Sequence, residues 1–247
     1  MNVKLSALAL GITLAYGMTA AMAADALIDQ AGGFNTATID QYQNNGSAVE
    51  ASIVTTGWGN THSIDQTRSD RIWAEINAPG SFNTASIEQK NVDYAGASIY
   101  QAASGSTASV EQGEYLRSNN GPRWHRRGGP RDGGSQWAVI EQTSGWGHDA
   151  SIIQNGGKVK ATIAQAGFGH TADVTQSGTS AAFNIVDVSQ TGGGHTATVS
   201  QTGYNLLASV TQSGLGHTAT VEMSGNGHTA TVTQSGWGNY GRISQRN

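Results

Sequence analysis

The chain of 247 residues contains no cysteine and only three prolines. The absence of cysteine excludes a disulfide framework, so staples cannot hold the chain together. Charge is scarce as well. Asp, Glu, Lys and Arg make up 12 % of the residues, about half the share of an ordinary soluble domain, so charge does not keep this chain apart from its neighbours. The balance, 17 acidic against 13 basic residues, argues against wholesale nucleic-acid binding. Beyond the N-terminus no window carries the 3.6-residue helical period, and no second apolar run follows the first.

The first apolar run, Leu5 to Tyr16, is too short to span a bilayer. Lys4 precedes it and Ala21-Met22-Ala23 follows. This is the pattern of an export signal, residues 1–23, cleaved after Ala23. The remainder, 24–247, reads as one domain.

What the chain has in place of these features is repetition and glycine, 34 residues of it. From Ala208 to Gln234 it reads ASVTQSGLGHTATVEMSGNGHTATVTQ, an alternating segment and a Gly-rich turn said over and over. Aligned on the final Gln, the phrase recurs eighteen times, with anchors Gln30, Gln41, Thr55, Gln66, Ala78, Gln89, Gln101, Gln112, Gln142, Gln154, Gln165, Gln176, Gln190, Gln201, Gln212, Met223, Gln234 and Gln245. Two residues before each anchor stands Ile or Val in every segment, and four before it usually stands Ala. Short, alternating, β-branched segments bounded by Gly are strands. Along a strand the anchor, the −2 and the −4 positions share one face. Met223 and Ala78 in the anchor slot mark that face as the inner one. A buried Gln must be hydrogen-bonded or it costs about 1–3 kcal/mol, and a column of Gln satisfies itself as an amide ladder.

The spacing pairs the strands. After odd-numbered anchors the step is eleven residues, except for the twelve from Gln142 to Gln154; after even-numbered anchors it ranges from 11 to 30. One corner is nearly fixed and the other accepts insertions, which makes the repeat a two-strand rung, with nine in the chain. The expected fold is all-β, a β-solenoid of two facing parallel sheets. The fixed corner carries G-x-G followed by Asn or His, as in Gly57-Trp58-Gly59-Asn60 and Gly167-Phe168-Gly169-His170. Stacking places Asn35, Asn60, Asn83, His148, His170, His195, His217 and Asn239 in one corner column. Neutral imidazoles there can pass hydrogen bonds along, and like-charge repulsion opposes their protonation. A linear column without carboxylate or Cys is a poor metal cage, so no metal or other cofactor is expected.

One insertion, 113–135, breaks the rhythm. It carries Arg117, Arg123, Arg126, Arg127 and Arg131 among Gly and Pro. It is either a flexible loop on the variable corner or a basic site for anionic polysaccharide, extracellular DNA or lipid. No nucleophile–base set or carboxylate pair stands out from the periodic background, so no enzyme is expected.

These residues bring the chain close to a known family. Strand followed by Q-x-G-x-G-N-x-A-x-x-x-Q resembles the repeat of curlins, the subunits of bacterial curli fibres. The stretch from Gln234 to Gln245 matches except that Gly241 replaces Ala, and that from Thr55 to Gln66 except at its first position and at His62. The resemblance covers essentially all of residues 26–247 outside the insertion. It implies an amyloid-competent β-solenoid secreted through an outer-membrane pore, which polymerises head to tail with itself, and with a second curlin subunit, into extracellular fibres for biofilm and adhesion. The runner-up is a monomeric secreted solenoid that acts as an adhesin or binds ice or polysaccharide, since outward Thr pairs such as Thr196/Thr198 also suit an ice-binding face.

Overall fold

A computed structural model describes residues 12–15, 24–42, 44, 48–92, 94–113, 135–178 and 182–247. The first half of the chain forms β1 (Ile12–Ala15), β2 (Ala24–Gly33), β3 (Thr36–Tyr42), β4 (Val49–Trp58), β5 (Thr61–Thr67), β6 (Ile72–Ala78), β7 (Thr84–Lys90), β8 (Ala95–Gln101) and β9 (Thr107–Gly113). The second half forms β10 (Gln136–Trp146), β11 (Asp149–Gly156), β12 (Val159–Phe168), β13 (Thr171–Gly178), β14 (Asn184–Gly193), β15 (Thr196–Tyr204), β16 (Leu207–Leu215), β17 (Thr218–Asn226), β18 (Thr229–Trp237) and β19 (Tyr240–Arg246). The described residues contain no helix.

The odd strands lie side by side in chain order in one sheet and the even strands in the other, every pair parallel. The fold is thus the two-sheet β-solenoid expected from the repeat, with β2 to β19 as its eighteen segments. Anchors pair with anchors throughout, as in Gln154↔Gln176 and Gln165↔Gln190. β1 is an addition. It falls in the stretch read as an export signal and pairs with β3 in the register Ile12↔Ala37.

Alternation puts the −4 and −2 side chains inside. Ala51, Ile53, Ala161, Ile163, Ala197 and Val199 belong to one continuous buried cluster that runs the length of the stack. Most strands fill the space between the sheets with one small and one β-branched side chain, while His62 beside Ile64 and Val186 beside Val188 pair two larger ones. Burying each Ile or Val gives about 1.5–3 kcal/mol. Ile28 and Ile243, on the end rungs, are only partly buried.

The two corners differ as the spacing foretold. At the fixed corner the first Gly of G-x-G has positive φ, +124° at Gly167 and +119° at Gly192. A Cβ on Gly167 would also collide with the carbonyl oxygen of Gly192 on the next rung. Glycine is therefore required there both by backbone conformation and by the rung above. The single twelve-residue step is absorbed locally. Pairing jumps from Gln142↔Gln165 to Ser144↔Ala166, which leaves Thr143 as a β-bulge and keeps the anchors in register.

The insertion leaves the stack whole. β9 pairs with β7 and β11, and β10 with β8 and β12. Where the chain returns, Gln136 Nε2 donates to the carbonyls of Gly113 and Gly156, closing the corner beneath the insertion.

Candidate functional site: side-chain columns and open ends

The inward Gln side chains form two ladders. In the odd sheet the Nε2 of Gln41, Gln66, Gln89, Gln112, Gln154 and Gln176 each donates to the Oε1 of the Gln one rung on, at 2.7–3.0 Å, ending at Gln201. In the even sheet the same bonds run from Gln101 through Gln142, Gln165, Gln190 and Gln212 to Gln234. From Gln66 onward each ladder amide spends its second hydrogen across the core. Gln154 Nε2 reaches the Trp137 carbonyl, Gln165 Nε2 that of Asp149, and Gln190 Nε2 that of Thr171. A carbonyl only accepts, so this cross-sheet bond fixes which amide atom is nitrogen. Every ladder bond therefore points from the N-terminal rung to the C-terminal one.

The ladders stop where the anchor is not Gln, and the leftover atoms follow that polarity. Ala78 donates nothing, so Gln101 Oε1 is buried without a partner; Met223 leaves Gln245 Oε1 in the same state. Gln30, facing Thr55, has an unpartnered Nε2. Gln30 and Gln245 thus occupy the expected slots without joining a ladder.

The corner residues stack in one column, which includes one member the sequence reading missed. Ser106 fills the slot between Asn83 and His148. Each corner backbone N–H except that of His170 donates to the side-chain acceptor one rung before it, and His148 Nδ1 is buried without a partner. Asn60 donates to Asn35 Oδ1, Asn83 to Asn60 Oδ1, Ser106 to Asn83 Oδ1, and His148 to Ser106 Oγ. His195 then donates to His170 Nδ1, His217 to His195 Nδ1, and Asn239 to His217 Nδ1, at 3.0–3.3 Å. The other ring nitrogen, Nε2, meets the carbonyl four residues back: Ser144, Ala166, Thr191 and Ser213 in turn. An Nδ1 that accepts and an Nε2 that faces a carbonyl define one neutral tautomer, protonated on Nε2. His here imitates Asn, with Nδ1 in the place of Oδ1 and Nε2–H in the place of Nδ2–H, as Asn239 shows by donating to the Ser235 carbonyl. Hydrogen bonds thus run along the column through backbone groups and not from ring to ring. The rings stack, with centroids 4.9–5.1 Å apart, but they bond to backbone.

Burial, with the neighbouring His148 and His195 adding to it against the bond to Ala166, lowers the His170 pKa to about 4. Burial also lowers that of His195, helped by His217. His62, which replaces Ala at a −4 position between Ala37 and Ala85, is buried with both ring nitrogens unpartnered, and its pKa falls to about 4. The sequence reading marked His62 as an exception to the Ala pattern and gave it no role.

At the two ends the columns run out. Gln234 and Gln245 donate across the core to Thr218 and Thr229, and no rung follows to take their second hydrogen. Asn239 stands last in the corner column, while Gln30, Gln41 and Asn35 stand first. β2, β18 and β19 each have a neighbouring strand on one side only. The basic-loop residues Arg117, Arg123, Arg126, Arg127 and Arg131 lie outside the described residues. Among the described residues no group of three or more His, Asp or Glu is arranged to hold a metal ion.

Comparison with known proteins finds no match among curated sequences. A family model does match. The curlin associated repeat aligns with residues 149–178, 184–214 and 204–236, which spans β11 to β17 and most of β18 and takes in the three consecutive corner histidines that bond to the rung above. These repeats, carried by a two-sheet solenoid with anchors in register, support membership of the curlin family over residues 149–236.

Proposed function

We propose that the exported chain is a structural subunit of extracellular curli-like amyloid fibres, and that it grows by adding copies end to end. The observation that carries this is the complementarity of its ends. The C-terminal end offers two amide donors, at Gln234 and Gln245, and one acceptor, at Asn239 Oδ1. The N-terminal end offers the Oε1 atoms of Gln30 and Gln41 and the backbone N–H of Asn35. A second copy placed head to tail continues all three columns with their internal polarity, whereas a tail-to-tail approach sets donor against donor. Unpaired strand edges are templates for further strands, and neither terminal rung carries the polar capping repeat of a soluble solenoid. Cleavage after Ala23 removes β1 and uncovers the edge of β3.

The reading includes export by the signal at 1–23, an outer-membrane pore, a second curlin as partner and a place in biofilm matrix and adhesion. It assigns the chain no chemistry of its own: the stacked histidines spend their ring nitrogens mainly on backbone groups. The test is incubation of the purified mature chain. Fibres with thioflavin fluorescence and a reflection near 4.8 Å support the reading; a chain that stays monomeric refutes it.

One observation favours a second reading, a monomeric ice-binding module. Thr36, Thr61, Thr84 and Thr107 align in one outward column of the odd sheet, which resumes after Asp149 with Thr171, Thr196 and Thr218. Thermal hysteresis in dilute solution is its test.

A further inference from the structure

The outer face of the odd sheet is charged unevenly along its length. One position before the anchor, β3, β5, β7 and β9 carry Asp40, Asp65, Glu88 and Glu111 in register, a column of carboxylates one rung apart. Lys90 pairs with it, within 3.4 Å of Asp65 and 2.6 Å of Glu88. This column begins at β3, the first repeat strand of the odd sheet. At the opposite end, β19 brings two guanidinium groups, Arg242 and Arg246, onto the single carboxylate of Glu222, at 3.3 and 3.5 Å. Two cations share one anion, so the cluster holds an excess of one positive charge. Both arginines are more than half exposed, at 55 % and 73 %.

From these two clusters we infer that the end-to-end junction is electrostatically keyed, with Arg242 and Arg246 of one copy receiving Asp40 of the next. This deepens the polymer reading and rests on it. When β3 of a second copy adds to β19, Asp40 takes the place that follows Glu222 and Ser244 in the same outward column. Arg242 and Arg246 stand two residues to either side of Ser244. They already flank Glu222 one rung below, so a carboxylate one rung above lies at the same offset. Exposed ion pairs contribute little stability of their own. The key therefore acts mainly on encounter and orientation: opposite charges at the two ends speed correct approach, and like charges slow approach by two identical ends.

The test measures the first addition of soluble chain to preformed wild-type and variant seeds, at low salt and at about 0.15 M, where screening shortens the range of charge to about 8 Å. A variant with Glu222→Lys, Arg242→Glu and Arg246→Glu reverses the cluster but keeps its internal pairs, so its fold is retained. Placed on the growing end as seeds, it should accept wild-type chain about tenfold more slowly at low salt and show little of that deficit at higher salt. Adding Asp40→Lys to the incoming chain should restore the rate of that first addition, which a merely misfolded seed would not permit. Reversed seeds that elongate at the wild-type rate, or a deficit that Asp40→Lys leaves in place, overturn the key alone. A wild-type chain that forms no fibres at all overturns the polymer reading and the key with it.

Discussion

His217 donates its backbone N–H to Nδ1 of His195 at 3.1 Å, while Nε2 of the same His195 ring sits 3.0 Å from the Thr191 carbonyl. The ring joins two rungs only while it is neutral, because a proton on Nδ1 turns the acceptor into a second donor facing an N–H.

Acid should therefore loosen the stack. His170 and His62 have folded pKa values of about 4 against an ordinary 6.5, and that of His195 is lowered too. Between those limits the unfolded chain binds protons that the folded chain refuses, so stability falls as pH drops from about 6.5 toward 4 and is fully present above that window. Chemical unfolding midpoints measured from pH 8 to pH 4 should fall within it, and elongation should be slower at pH 5 than at pH 8. A flat profile contradicts the neutral column.

Asn should replace His at this corner, and Ala should not. His195→Asn keeps an acceptor for His217 and a donor for Thr191, so its unfolding free energy at pH 7 should stay within about 1 kcal/mol of wild type. His195→Ala strands two buried backbone groups and should cost about 2–4 kcal/mol. The His195→Asn chain should also lose part of the acid sensitivity.

The amide ladder can be mended or cut. Met223→Gln gives Gln201 a new acceptor and gives the orphaned Gln245 Oε1 a donor, so stability should rise by about 1 kcal/mol. Gln190→Leu removes a link between Gln165 and Gln212 and should cost about 2 kcal/mol or more. Thermal unfolding of the three chains orders them: Met223→Gln above wild type, and Gln190→Leu below.

Replacing residues 114–134 by two glycines shortens the step from Gln112 to Gln142 to eleven, the length already found between Gln154 and Gln165. Because β8 to β11 pair directly around the insertion, that chain should form fibres at the wild-type rate. Loss of fibres would make the insertion a structural part. Retained fibres with lost retention on anionic polysaccharide would make it the basic site.

The strands, the pairing of odd with odd and even with even, and the inward Gln were legible because a solenoid writes the same contact into the sequence once per rung. Even the irregular step was visible: the extra residue between Gln142 and Gln154 became the bulge at Thr143. What stayed hidden was not periodic in residue type. Ser106 belongs to the corner column but is neither Asn nor His. Phe34 and Phe82 take the second Gly slot of the corner with φ of +58°, a conformation unfavourable for a bulky residue, and no pattern announces them. The second hydrogen of the ladder Gln from Gln66 onward goes to a backbone carbonyl on the facing sheet, and a carbonyl leaves no mark in the sequence. The choice of tautomer, and with it the equivalence of His and Asn, needed the distances from both ring nitrogens.

The central claim is that the ends of one stack continue in the next. Diffraction or electron microscopy of aligned fibres of the mature chain tests it most directly. Nine rungs about 4.8 Å apart place one subunit every 43 Å or so along the axis, so the account predicts a 4.8 Å reflection together with an axial subunit repeat near 43 Å. Fibres with a subunit at every 4.8 Å, each chain lying flat in a single layer, would contradict it, as would a mature chain that remains monomeric.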